Sequence, residues 1–147
     1  MAELVREIVI DATPETIWPF LTETERHLEW VGTVGELDAR PGGVYRVLVA
    51  GQHHAVGEFV EVVPFEKVVY TFGWDEKDHP IPAGSTQVEI SLHPEGEKTR
   101  VRLTHSGLPA DATDDHGDGW AHYLERLAIA VPGGDPGPDL PEDRPNR

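Results

Sequence analysis

Apolar residues recur at helical spacing once, close to the C-terminus, and at strand spacing several times before it. Trp120, Tyr123, Leu124, Leu127, Ala128 and Val131 fall at i, i+3, i+4, i+7, i+8 and i+11. That is one stripe of an amphipathic helix, and Pro132-Gly133-Gly134 ends it. Glu125 and Arg126 lie off the stripe. Upstream, strands are expected over Glu3–Asp11, Gly32–Arg40, Val44–Val49, Val56–Val63, Val68–Trp74, Thr86–Leu92 and Thr99–Ser106. Val101, Leu103 and His105 alternate with Arg100, Arg102 and Thr104, so one face of the sheet is covered and the other wet.

Between the first two strands, Thr13-Pro14-Glu15 is a helix start: a capping hydroxyl, a proline at the first turn and an acid at the positive end. A second short helical piece follows over Glu25–Trp30. Gly51-Gln52-His53-His54 is expected to form a hairpin tip, and Leu108–Gly119 a loop before the last helix. This order predicts an α+β domain of the helix-grip kind over residues 1–131. A curved antiparallel sheet of six or seven strands wraps a long C-terminal helix, with two short helices after the first strand. Residues 132–147, rich in Pro, Gly and Asp, are expected to be disordered.

Composition narrows the function. The net charge is −15, with 27 acidic against 12 basic residues, so the basic footprint of a nucleic-acid binder is missing and an anionic membrane surface repels the chain. No cysteine is present, which removes disulfides, thiolate metal sites and cysteine nucleophiles. No stretch reaches the roughly 18 apolar residues of a membrane span, and the first residues read as a strand rather than a signal peptide. A cytoplasmic location is the expectation.

Particular words then carry a resemblance: Ile10-Asp11-Ala12-Thr13-Pro14-Glu15-Thr16-Ile17-Trp18, Arg40-Pro41-Gly42-Gly43-Val44-Tyr45-Arg46, Gly57-Glu58-Phe59-Val60-Glu61-Val62-Val63-Pro64, Val69-Tyr70-Thr71-Phe72, and Thr99 to His105 ahead of Gly119-Trp120. In this order they resemble the START-related, Bet v 1-like superfamily. Within it, the chain is similar to the family named after the activator of the heat-shock-protein-ninety ATPase. The resemblance implies a cavity between sheet and C-terminal helix. The namesake's co-chaperone activity resides in proteins with an additional domain, so it is not carried over.

The expected cavity wall comprises Tyr70, Phe72, Trp74, Leu103, His105, Trp120, Tyr123 and Leu124. An apolar wall with few polar handles suits a small apolar or aromatic ligand. Core packing is the plainer reading of the same aromatics. His105 is either a general acid or base or a core histidine hydrogen-bonded to a hydroxyl or backbone group, with Glu58 a partner if its strand turns it inward. His53-His54 point to opposite strand faces and so do not share a metal ion. Asp114-Asp115-His116-Gly117-Asp118-Gly119 lacks calcium-loop spacing, and His116 reaches the cavity edge if the helix begins early. No cofactor or metal is expected. The readings are a binding protein, an enzyme of cyclase, dehydratase or hydrolase type using His105, or a co-chaperone-like interaction module with an unknown protein partner.

Overall fold

The computed structural model describes residues 2–49, 53–137 and 139. Strand β1 (Ala2–Ile10) leads into helices α1 (Pro14–Thr22) and α2 (Thr24–His27). Strands β2 (Gly35–Leu37), β3 (Val44–Val49), β4 (His53–Val63), β5 (Lys67–Phe72), β6 (Thr86–Glu95) and β7 (Lys98–Leu108) follow. A 3₁₀ turn at Ala110–Ala112 opens helix α3 (Thr113–Ala130). The seven strands form one antiparallel sheet in the order β1-β7-β6-β5-β4-β3-β2. This is the helix-grip fold expected from the pattern.

Alternation fixes which side chains face α3. Tyr45, Val47 and Val49 point inward from β3; Val68, Tyr70 and Phe72 from β5; Val88, Ile90 and Leu92 from β6; Val101, Leu103 and His105 from β7. Register aligns them in rows, with His105 opposite both Val88 and Leu4, and Tyr70 opposite both Val88 and Phe59. A register shift between Phe59 and Glu61 breaks the ladder, the kind of irregularity that bends a strand and raises its twist. Gly57 lies close against β5, where a Cβ would stand 1.8 Å from the Thr71 carbonyl oxygen.

Four expectations are corrected. The strand over Gly32–Arg40 shrinks to Gly35–Leu37, since Gly32 has φ +76° and the Thr24 hydroxyl takes the Leu37 N–H. The strand expected through Trp74 ends at Phe72, where the Trp74 N–H turns to Ile81 O. His53 and His54 belong to β4 rather than to a hairpin tip, and Gly51 and Gln52 lie outside the described residues. Helix α3 starts at Thr113, not near Trp120. Two glycines weaken helix propensity there, but packing against β1 prevails: a Cβ on Gly117 would stand 2.2 Å from the Arg6 guanidinium, which lies against the helix.

Arg126 is the fifth departure. Taken as off the apolar stripe, it is buried. Its Nε donates to Trp30 O at 2.9 Å, its Nη1 to Pro136 O at 3.0 Å and its Nη2 to Gly137 O at 2.9 Å. Residues 138 and 140–147 of the tail lie outside the described residues, whereas Asp139 is buried. We expect Arg126→Met to lower unfolding free energy in urea by about 2–4 kcal/mol, because one buried and two half-buried carbonyls lose their donor. Arg126→Lys restores little of it, since an ammonium does not present the planar fork. Wild-type stability of Arg126→Met would show that these carbonyls find other donors.

Candidate functional site

A cavity of about 80 Å³ lies between α3 and the concave sheet, lined by Val31, Tyr45, Val49, Phe72, Trp74, His116, Gly119, Trp120 and Tyr123. Trp74 and His116 are the half-buried members of that wall and form its rim. Of the residues anticipated, Phe72, Trp74, Trp120 and Tyr123 line the cavity. Tyr70, Leu103, His105 and Leu124 are buried in the core but are not part of the wall. His116 reaches the wall because α3 begins early. Val31, Tyr45, Val49 and Gly119 were missed. The alternation Tyr45, Val47, Val49 in β3 was the available signal for two of them.

His105 stands behind Trp120. The indole Nε1–H of Trp120 donates to His105 Nδ1 at 3.0 Å. Indole is a donor only, so Nδ1 is the acceptor and the ring proton sits on Nε2. That proton is directed at the Thr86 hydroxyl, 2.8 Å away, and the hydroxyl in turn donates to Phe72 O at 2.6 Å. Each donor therefore meets an acceptor. Burial first, and the nearby His116 second, push the His105 pKa down to about 3. A general base needs an available lone pair and a pKa near the working pH; here the lone pair is committed to Trp120. Glu58 is exposed on the outer face of β4 and does not approach it. The arrangement is that of a core histidine bonded to a hydroxyl.

A second buried relay lies on the other side of the cavity, around a residue the sequence did not single out. His27 Nδ1 lies 2.9 Å from Phe20 O, a carbonyl near the end of α1, where helix geometry leaves acceptors unfilled. Trp30 Nε1–H donates to the same oxygen at 2.8 Å. With Nδ1 protonated toward that carbonyl, His27 Nε2 accepts from the Tyr45 hydroxyl at 2.9 Å. Desolvation lowers the His27 pKa to about 4. Tyr45 stacks on Tyr70 with centroids 4.2 Å apart and planes 15° from parallel. Burial pushes both phenols up, Tyr70 further through the neighbouring Tyr45. No well-formed hydrogen bond reaches the Tyr70 hydroxyl among the described residues.

Among the described residues no cluster of three or more His, Asp or Glu has metal-binding geometry. No helix among the described residues is long and apolar enough to cross a membrane. His53 pairs with Glu76 at the surface.

Sheet, gripped helix and intervening cavity define a START-like, Bet v 1-like domain. The chain belongs to the family of Activator of Hsp90 ATPase homolog 1-like proteins, whose model matches residues 11–131. An AHSA1-like protein from Rhizobium etli is 45% identical, with 94% of this chain and 86% of that one covered and a TM-score of 0.73. The Aha1 dimer from Colwellia psychrerythraea shares the fold at 21% identity, covering 91% of this chain and 98% of that one, with a TM-score of 0.78. An HSP90 activator from Plasmodium falciparum does so at 18% identity, covering 90% and 97%, with a TM-score of 0.72. No curated protein matches the chain.

The two neutral histidines set a pH dependence. Their folded pKa values lie below the ordinary 6.5, so the unfolded chain binds more protons between that value and about 4. Stability is full above pH 6.5 and falls as pH drops. We expect each histidine to contribute about 1.4 kcal/mol per pH unit between roughly pH 6 and pH 5. His27→Gln and His105→Gln should each flatten the urea-midpoint profile by that slope. An unchanged profile in either variant means that its histidine is already protonated in the fold.

Proposed function

We propose that this protein binds a small apolar or aromatic molecule in the cavity between the sheet and α3. The observation that carries the proposal is the wall itself: Tyr45, Phe72, Trp74, Trp120 and Tyr123 surround one space. Such a wall offers stacking faces, and the committed hydrogen bonds behind it leave few polar groups to solvate an empty site.

Size limits the occupant. The cavity, open on one side, holds about 80 Å³. Ligand pockets commonly span about 300–1,000 Å³, and even an engineered cavity that takes benzene measures about 150 Å³. A ring-sized molecule therefore either extends through the mouth of the cavity or displaces Trp74 or His116 at the rim. The catalytic reading gains nothing from His105, whose lone pair is occupied.

Tryptophan emission reports directly, since Trp74 and Trp120 are in the wall. Titration with single-ring probes such as indole or p-cresol is expected to give saturable quenching. Val49→Phe, which fills the cavity, should weaken it by about 10-fold or more. Quenching that Val49→Phe leaves intact would place binding elsewhere. Absence of any saturable response, with Val49→Phe more stable than wild type, would make the cavity a packing gap.

A further inference from the structure

The most unusual group near the cavity is a carboxylate. Asp139 is 1% exposed, yet it arrives on a segment that is exposed from Pro132 to Asp135 and half-buried at Pro136 and Gly137. Both of its oxygens are used. Tyr123 Oη donates to Oδ1 at 2.8 Å and stands 3.0 Å from Oδ2, and the Gly32 N–H donates to Oδ2 at 2.8 Å. The Arg126 guanidinium holds the same segment two residues earlier, at Gly137 O.

The corner that receives this carboxylate is built by other parts of the chain. Gly32 is held at φ +76°, and a Cβ there would stand 2.3 Å from a Val47 methyl, so both conformation and space demand glycine. Its N–H direction is thereby fixed by β3, not by the tail. Tyr123 is fixed on α3. Tyr123 and Val31 also line the cavity, so the corner adjoins the proposed binding space. A preformed pair of donors beside an aromatic wall is a receptor for a carboxylate joined to an apolar body.

We infer that Asp139 is an internal stand-in for a ligand carboxylate: the site takes a small aromatic or acyl carboxylic acid, which displaces Asp139 from Gly32 and Tyr123 and lays its apolar part in the cavity. The inference rests on the binding function proposed above and names the ligand class. Because Asp139 is tethered, it competes at a high effective concentration and lowers the apparent affinity of the free acid. Displacement also withdraws a side chain from beside the cavity, which eases the size limit. The net charge of −15 repels a free acid at long range, so added salt is expected to aid binding.

The test uses the full chain, with 3-phenylpropanoate as the carboxylate probe and 3-phenylpropanamide as its neutral counterpart, both followed by tryptophan fluorescence. Asp139→Ala is expected to bind the carboxylate about 10-fold or more tighter than wild type. The amide should change by less than about threefold, because it lacks the charge-assisted bonds. Adding Tyr123→Phe should remove most of the gain. Asp139→Asn keeps the shape of the side chain and carries the same comparison if Asp139→Ala loses the wild-type circular dichroism spectrum. If carboxylate and amide bind Asp139→Ala equally, the carboxylate inference fails and the apolar site stands. If neither binds any variant, the binding function fails with it.

Discussion

One buried cation decides how the C-terminal third of the molecule is arranged. A guanidinium leaves water only when its donors are met, and Arg126 meets three carbonyls from two distant segments. The Trp30 carbonyl ties α3 to the chain that leaves α2. The Pro136 and Gly137 carbonyls turn the residues after α3 back along it. Gly32, two residues beyond Trp30, then meets Asp139, two residues beyond Gly137. The approach of Asp139 to the donor corner is thus a consequence of where one planar side chain finds acceptors.

The interior shows the same economy of polar groups on both sides of the cavity. Two histidines stay neutral, each fixed in one tautomer by a donor-only or acceptor-only neighbour. Each relay ends on a backbone carbonyl, Phe72 in one case and Phe20 in the other. These networks orient Trp120 and Tyr45, two of the rings that face the cavity. Their role is to hold the wall in place. A histidine serving a wall in this way has its lone pair committed to an aromatic neighbour.

Most of the fold was legible in the chain because strand alternation and the α3 stripe are local patterns with a fixed period. The helix start at Thr13 was legible for the same reason: the Thr13 hydroxyl accepts from the Thr16 N–H, and Pro14 follows. What escaped depended on contacts between distant segments. Gly117 and Gly119 argue locally against helix, and the early start of α3 comes from its packing on β1. Arg126 reads as a surface residue until Trp30 and Gly137 are brought beside it. His27 carries no pattern at all, since its partners Phe20 and Tyr45 lie on other elements. Of the anticipated wall, the α3 and β5 aromatics were found because their faces were readable. Their depth was not, and Tyr70 and His105 fall one layer behind.

The strand order carries a kinetic consequence. β1 pairs with β7 from Ile10 opposite Thr99 to Ala2 opposite Leu108, separations of 89 and 106 residues (99 − 10 and 108 − 2). Every other neighbouring pair of strands is consecutive in the chain, the longest connection being residues 73–85 between β5 and β6. Loop-closure entropy makes the long pairing the slow one. During synthesis the first strand has no partner until β7 has emerged, and β1 is the strand on which α3 packs most closely. Among the described elements the gripped helix is thus made last, and it settles on a strand, β1, whose partner β7 is itself made late.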